Sequence, residues 1–117
     1  MIPHVTVFVA RALICFMGTC HHALVGSQTP TGAFPLRRMA TVAPGYGGDV
    51  LVFYQQGSYA WAIHRVYLLH PSQHRAARLR SDDPARRRIT MGCINVDPIV
   101  YEQLVDCCSR STVEILP

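Results

Sequence analysis

Thr90-Met91-Gly92-Cys93-Ile94-Asn95 places a thiol directly after a glycine and a few residues ahead of a predicted helix. A thiol attacks a carbonyl well only as thiolate, so it needs a nearby base or a positive field, and the oxyanion it creates needs N–H donors. Glycine leaves the neighbouring backbone N–H uncrowded and lets a substrate carbonyl come close to it. The hexapeptide therefore holds the minimum equipment for acyl transfer. The same local sequence also suits a buried structural cysteine, and at this level the two readings stand side by side.

The other chemistry-bearing residues are less organised. Cys15, Cys20, Cys93, Cys107 and Cys108 are odd in number, so at least one thiol is left over if the rest pair. Cys107 and Cys108 are adjacent and predicted helical, a geometry that argues against a bond between them. Cys20-His21-His22 lines up three potential metal ligands, but neighbours in sequence point in different directions and no second ligand pair completes a tetrahedron. No metal and no cofactor is expected. Charge comes from arginine alone, since the chain has no lysine, and the formal net charge is +4. That excess is modest and its arginines are not interleaved with stacking aromatics, so no nucleic-acid partner is expected.

The elements that must position these groups can be read from pattern. At 117 residues the chain is one domain with one core. Val5–Val9 and Leu13–Met17 read as strands, and Gly26–Gly32 as a loop rich in turn residues. The 1–25 segment is expected to be an N-terminal strand region or a degenerate signal segment. Its apolar stretch is interrupted by Arg11 and is too short for a stable membrane span. An extended segment restarts at Phe34 and Leu36. The run Asp49-Val50-Leu51-Val52-Phe53-Tyr54 reads as a buried strand, and Tyr59–His64 with Val66–Leu69 as another, with His64 inside it or at its end. Ser72–Arg88 concentrates arginine and reads as a solvated loop with a short helix from Gln73 to Leu79. Asp97 as N-cap and Pro98 at the first helical position start a helix over 98–108, with Val100, Leu104 and Cys108 on one face. Thr112–Leu116 closes the chain as a strand.

Three blocks in this order resemble the catalytic domain of the L,D-transpeptidases, the YkuD-like enzymes of bacterial cell walls. They are Thr29-Pro30-Thr31-Gly32-Ala33-Phe34, the strand ending Ala62-Ile63-His64-Arg65, and Thr90-Met91-Gly92-Cys93-Ile94-Asn95. The likeness covers 26–117, which is expected to be the catalytic domain. It implies a mainly β fold, a mixed β-sandwich or barrel-like architecture with one helix in the C-terminal half, at about 98–108, and abbreviated N-terminal strands. Two departures stand out. Many members have histidine where Met91 stands, and the interval from His64 to Cys93 is longer than in the simplest members, the arginine-rich segment supplying the excess.

The resemblance assigns roles. Cys93 is the expected nucleophile and His64 its base or imidazolium partner, with the N–H groups of Gly92 and Cys93 as oxyanion donors. Thr90 is expected to brace the turn. Arg65 and Arg88 flank the catalytic blocks and are the arginines expected to bind a substrate carboxylate, while Asn95 is expected to contact substrate or hold the loop. The implied reaction is thioester formation at the third, L-configured centre of a peptidoglycan tetrapeptide stem with loss of D-alanine, followed by attack of an amine from another stem. Water in place of the amine would make the same site an L,D-carboxypeptidase, and a non-catalytic wall-binding relative is a further alternative. Histidine before cysteine excludes the papain-like order. The expected location is the cell envelope, although no clear export signal is visible, and carbapenems are expected to acylate Cys93. Oligomeric state is not encoded in any feature of the sequence.

Overall fold

The computed structural model describes residues 4–117, so residues 1–3 of the expected N-terminal segment lie outside it. Among the described residues eleven strands form three sheets, and two α-helices pack with them. In chain order the strands are β1 (Val5–Phe8), β2 (Leu13–Phe16), β3 (Thr19–His22), β4 (Val25–Gly26), β5 (Gly32–Pro35), β6 (Arg37–Ala40), β7 (Asp49–Gln56), β8 (Tyr59–Arg65), β9 (Arg88–Thr90), β10 (Ile94–Val96) and β11 (Thr112–Leu116). Helix α1 (Arg75–Arg80) lies in the arginine-rich segment and α2 (Pro98–Cys108) between β10 and β11. The fold is mainly β, as the sequence predicts.

The largest sheet runs β3-β2-β1-β11-β5, with β1 and β11 parallel and in register from Val5 opposite Val113 to Phe8 opposite Leu116. Alternation explains its inward face. Val5, Val7, Val113 and Ile115 are buried while their neighbours along each strand are less so. The second sheet runs β10-β8-β7-β6 and brings Leu51, Phe53, Ile63 and Ile94 to the same core. Helix α2 closes that core with Tyr101, Leu104 and Cys108, and Asp97 caps it by accepting from the Ile99 N–H at 2.9 Å.

Two expectations change here. The strand expected over Val66–Leu69 does not form, because β8 ends at Arg65. The Val66 N–H still reaches the Val96 carbonyl at 2.9 Å, but the next N–H, that of Tyr67, goes to the Asn95 side chain at 3.1 Å. A side-chain acceptor thus takes the bond a ladder would need, and the chain leaves the sheet. The second change concerns sulfur. Cys107 and Cys108 are bonded to each other, contrary to the sequence reading, at the very end of α2, where Ser109 is the cap and the chain turns away. Cys15 and Cys20 are bonded across the β2–β3 hairpin, where they are paired residues. Cys93 is left as the free thiol, and Cys20 is no longer available as a ligand.

Candidate active site

The parallel pairing of β8 with β10 sets Asn95 opposite His64 and Ile94 opposite Ile63. Cys93, one residue earlier, therefore sits just beyond the ladder beside Ala62. Its Sγ lies 4.0 Å from the Ala60 carbonyl oxygen, and the Ala62 N–H points toward the sulfur. Burial pushes the thiol up from its ordinary value, while the Ala62 N–H and the Arg75 charge pull in the opposite direction without reversing the shift. At neutral pH the half-buried sulfur is a thiol rather than a thiolate.

His64 is fully inside, with 3% of its surface exposed. Its Nδ1 lies 2.7 Å from the Arg65 carbonyl oxygen, which can only accept, so Nδ1 carries the proton and Nε2 holds the lone pair. Asn95 supports that assignment. Its Oδ1 accepts from the Tyr67 N–H and, at 2.9 Å, from Arg75 Nη1, which turns Nδ2 toward His64 Nε2 at 3.4 Å. The Tyr46 ring meets the imidazole edge-on at 4.8 Å between centroids. Burial lowers the imidazole to about 4, and the nearby Arg75 charge acts in the same direction against the Arg65 carbonyl. His64 is thus a neutral base at physiological pH.

The turn that carries the thiol is clamped by the loop after β4. Thr29 Oγ1 donates to the Gly92 carbonyl at 3.0 Å and accepts from the Gly26 N–H at 3.0 Å, and the Gln28 N–H donates to the Met91 carbonyl at 3.1 Å. Thr90 Oγ1 donates to the Cys93 carbonyl at 2.6 Å, closing the turn from within. Gly26 and Gly92 are required by close approach. A Cβ at residue 26 would fall 1.8 Å from the Thr90 carbonyl oxygen, and one at residue 92 would fall 2.4 Å from the Trp61 indole nitrogen. The Thr-Pro-x-Gly block and the nucleophile block are therefore one unit in space.

Cys93 and His64 both line a cleft of about 430 Å³, together with Tyr46, Trp61, Tyr67, Gln73, Arg75 and the exposed Met91, and both also border a smaller groove of about 170 Å³ floored by Val50, Val52 and Ala62. Thr90 and Gly92 line the larger cleft too. Arg65 and Arg88 do not. Arg65 donates to Asp49 at 2.9 Å and to Glu102 at 2.6 Å and lies over the Tyr101 ring at 4.3 Å, while Arg88 is exposed and lines neither cavity. Asn95 is fully buried, with its side chain spent on Tyr67, Arg75 and His64. The arginine that does reach the cleft is Arg75, which the sequence reading left in a solvated loop. Leu79, four residues on, is the buried residue of α1, and Arg75 shares its inward helical face.

Asp49 anchors the far side of β8. Burial raises its carboxyl, but hydrogen bonds from Arg38, Tyr101 and Arg65 outweigh burial and hold it below the ordinary carboxylate value. Asp49→Asn leaves the Arg65 guanidinium without its most buried partner, and we expect a loss of about 2 kcal/mol of stability at pH 7 by thermal melting. Because the folded carboxyl titrates below the unfolded one, the difference from wild type is full above the ordinary value and fades as pH falls through the lowered one.

Fold and site together define a mainly β domain whose free cysteine and neutral histidine line one cleft at the end of a strand pair. No family model matches the sequence, and no curated protein does. Solved structures match it along nearly its whole length at low identity. L,D-transpeptidase 3 from Mycobacterium tuberculosis, in complex with a faropenem-derived adduct, superposes with a TM-score of 0.68 at 10% identity over 98% of this chain and 60% of that one. The helical cell-shape-determining protein Pgp2 from Campylobacter jejuni gives 0.66 at 16% identity over 97% of this chain and 46% of that one. An L,D-transpeptidase from Xylanimonas cellulosilytica gives 0.61 at 15% identity over 97% and 60%. The chain has the L,D-transpeptidase fold and spans less than two thirds of the length of these structures.

Proposed function

We propose that this chain is a cysteine-dependent L,D-transpeptidase acting on peptidoglycan stem peptides in the cell envelope. The observation that carries the reading is the free thiol of Cys93 sharing a cleft with a neutral His64 whose lone pair is on Nε2, where a long 3.4 Å contact from Asn95 Nδ2 would give way to the thiol proton. As Sγ attacks the carbonyl carbon of the stem's third residue, its proton passes to Nε2. The oxyanion is held by the N–H groups of the Gly92–Cys93 turn. Collapse breaks the C–N bond, Nε2 returns the proton to the departing D-alanine amine, and a thioester remains. An acceptor amine then attacks the thioester, loses its proton to Nε2, and the sulfur leaves as a thiol.

Two disulfides suit an oxidising, extracytoplasmic setting, and among the described residues no helix is long and apolar enough to cross a membrane. Incubation with a carbapenem should add one drug mass to the intact, folded protein, and Cys93→Ala should abolish the adduct. A folded wild-type protein that takes no adduct would favour a non-catalytic wall-binding role. With stem peptides, a cross-linked product marks a transpeptidase and a free tripeptide stem marks an L,D-carboxypeptidase.

A further inference from the structure

Arg75 is the one guanidinium in the cleft, and its charge has no opposite partner there. Its Nε donates to Gln73 Oε1 at 2.8 Å and its Nη1 to Asn95 Oδ1 at 2.9 Å, both neutral oxygens, and among the described residues none of the ion pairs includes it. Its Nη2 makes no hydrogen bond to the described residues, and the group lies over the Tyr67 ring at 5.7 Å. Arg38 and Arg65, by contrast, are tied to carboxylates. Arg87 is also buried without a carboxylate bonded to it, but its guanidinium is spent on the carbonyls of Arg11, Ala12 and Ser81, outside the cleft. A half-buried guanidinium with only neutral partners and a spare N–H edge is a site prepared for an anion.

We infer that Arg75 binds the α-carboxylate of the residue that leaves when Cys93 is acylated, and so selects stems that end one residue beyond the attacked carbonyl. This rests on the proposed reading of Cys93 as the nucleophile. The choice among the carboxylates of a stem follows from position. Arg75 holds Asn95, which touches His64, and its charge acts on both His64 and Cys93. A carboxylate bound beside it lies close to the reacting carbonyl, and the leaving residue's carboxylate is separated from that carbonyl by only its own nitrogen and Cα. Gln73 and Asn95 fix the fork by occupying Nε and Nη1, leaving the remaining edge for the ligand.

The test compares two tetrapeptide stems, one ending in D-alanine with a free carboxylate and one ending in D-alanine carboxamide, by kcat/KM for loss of the terminal residue. Wild type should prefer the free acid by about 30-fold, the discrimination a charge-assisted pair supplies. In Arg75→Gln the preference should shrink to about twofold or less, and Arg75→Lys should keep only part of it, because an ammonium supplies the charge without the fork that Gln73 and Asn95 hold. A wild type without the preference, or an Arg75→Gln variant that keeps it, would overturn the inference. If wild type turns over neither peptide, the transpeptidase reading fails and the carboxylate site is judged by binding alone. Titration of the Cys93→Ala protein with the two peptides should then still favour the acid, with the preference lost when Arg75→Gln is added, and equal binding of both would overturn it.

Discussion

His64→Ala should slow acylation of Cys93 by about a hundredfold to a thousandfold at pH 7, the range a positioned general base supplies. The expectation is large because the pair starts uncharged. Burial keeps the Cys93 thiol protonated and lowers His64 to about 4, so no preformed thiolate waits for substrate and the proton must move during attack. The same fact sets the pH profile. A base of ordinary imidazole strength would lose acylation as pH fell through about 6.5, whereas this site should hold its rate to pH 5 and lose it only near 4. Stopped-flow acylation by a carbapenem between pH 4 and 8 reads this directly. A wild-type midpoint at 6 or above would mean that His64 is charged at rest, and an unchanged rate in His64→Ala would remove it from the mechanism.

Stability should carry the matching signature. The unfolded imidazole takes a proton near 6.5 and the folded one only near 4, so between those values the unfolded state binds more protons and stability is lost as pH is lowered. The full effect is on the order of 3 kcal/mol, present above 6.5 and lost by about 4. Referred to its own value at pH 7, the denaturation midpoint of wild type should therefore fall further across that window than that of His64→Gln referred to its own.

What the sequence made legible, and what it did not, divides along physical lines. Strands β7 and β8 announce themselves by β-branched and aromatic residues, and α2 by the Asp97-Pro98 start, because those signals act over a few neighbours. Cys93 and His64 stand out through the blocks around them. Arg75 was hidden among the clustered arginines of the Ser72–Arg88 segment, since composition does not say which face of a short helix turns inward. The signal that could have found it is Leu79, the one strongly apolar side chain of α1, which marks the face Arg75 shares. Adjacency misled in the opposite case. Arg65 follows His64 in sequence, but successive residues of a strand face opposite sides, so the neighbour of a cleft residue points away from the cleft and toward Asp49 and Glu102. The Val66–Leu69 strand failed for a similar reason, as no local pattern reveals that a distant asparagine takes the Tyr67 N–H.

Gly26→Ala should damage the site from outside the nucleophile turn. The added Cβ would meet the Thr90 carbonyl oxygen at 1.8 Å and the Thr90 carbonyl carbon at 2.5 Å. These are backbone atoms of β9, paired with β4 through Gly26 itself, so no side-chain rotation relieves the contact. Relief requires the two short strands to separate. Separation would carry Thr29 away from the Gly92 carbonyl and Gln28 away from the Met91 carbonyl, and would disturb Thr90, whose hydroxyl holds the Cys93 carbonyl. Overpacking against backbone at this depth should cost about 3 kcal/mol, which lowers the melting temperature by roughly 10 °C in a domain of this size. Acylation should fall at least tenfold even at temperatures where the variant is folded, because the thiol and its N–H donors are no longer held in one geometry. Thr29→Val separates the two contributions. It keeps the backbone spacing but removes the hydroxyl that bridges Gly26 and Gly92, and it should slow acylation with a smaller loss of stability, of about 1 kcal/mol. A Gly26→Ala protein that melts like wild type and is acylated as fast would show that the two blocks are merely adjacent, and that the nucleophile turn holds its shape without the loop that clasps it.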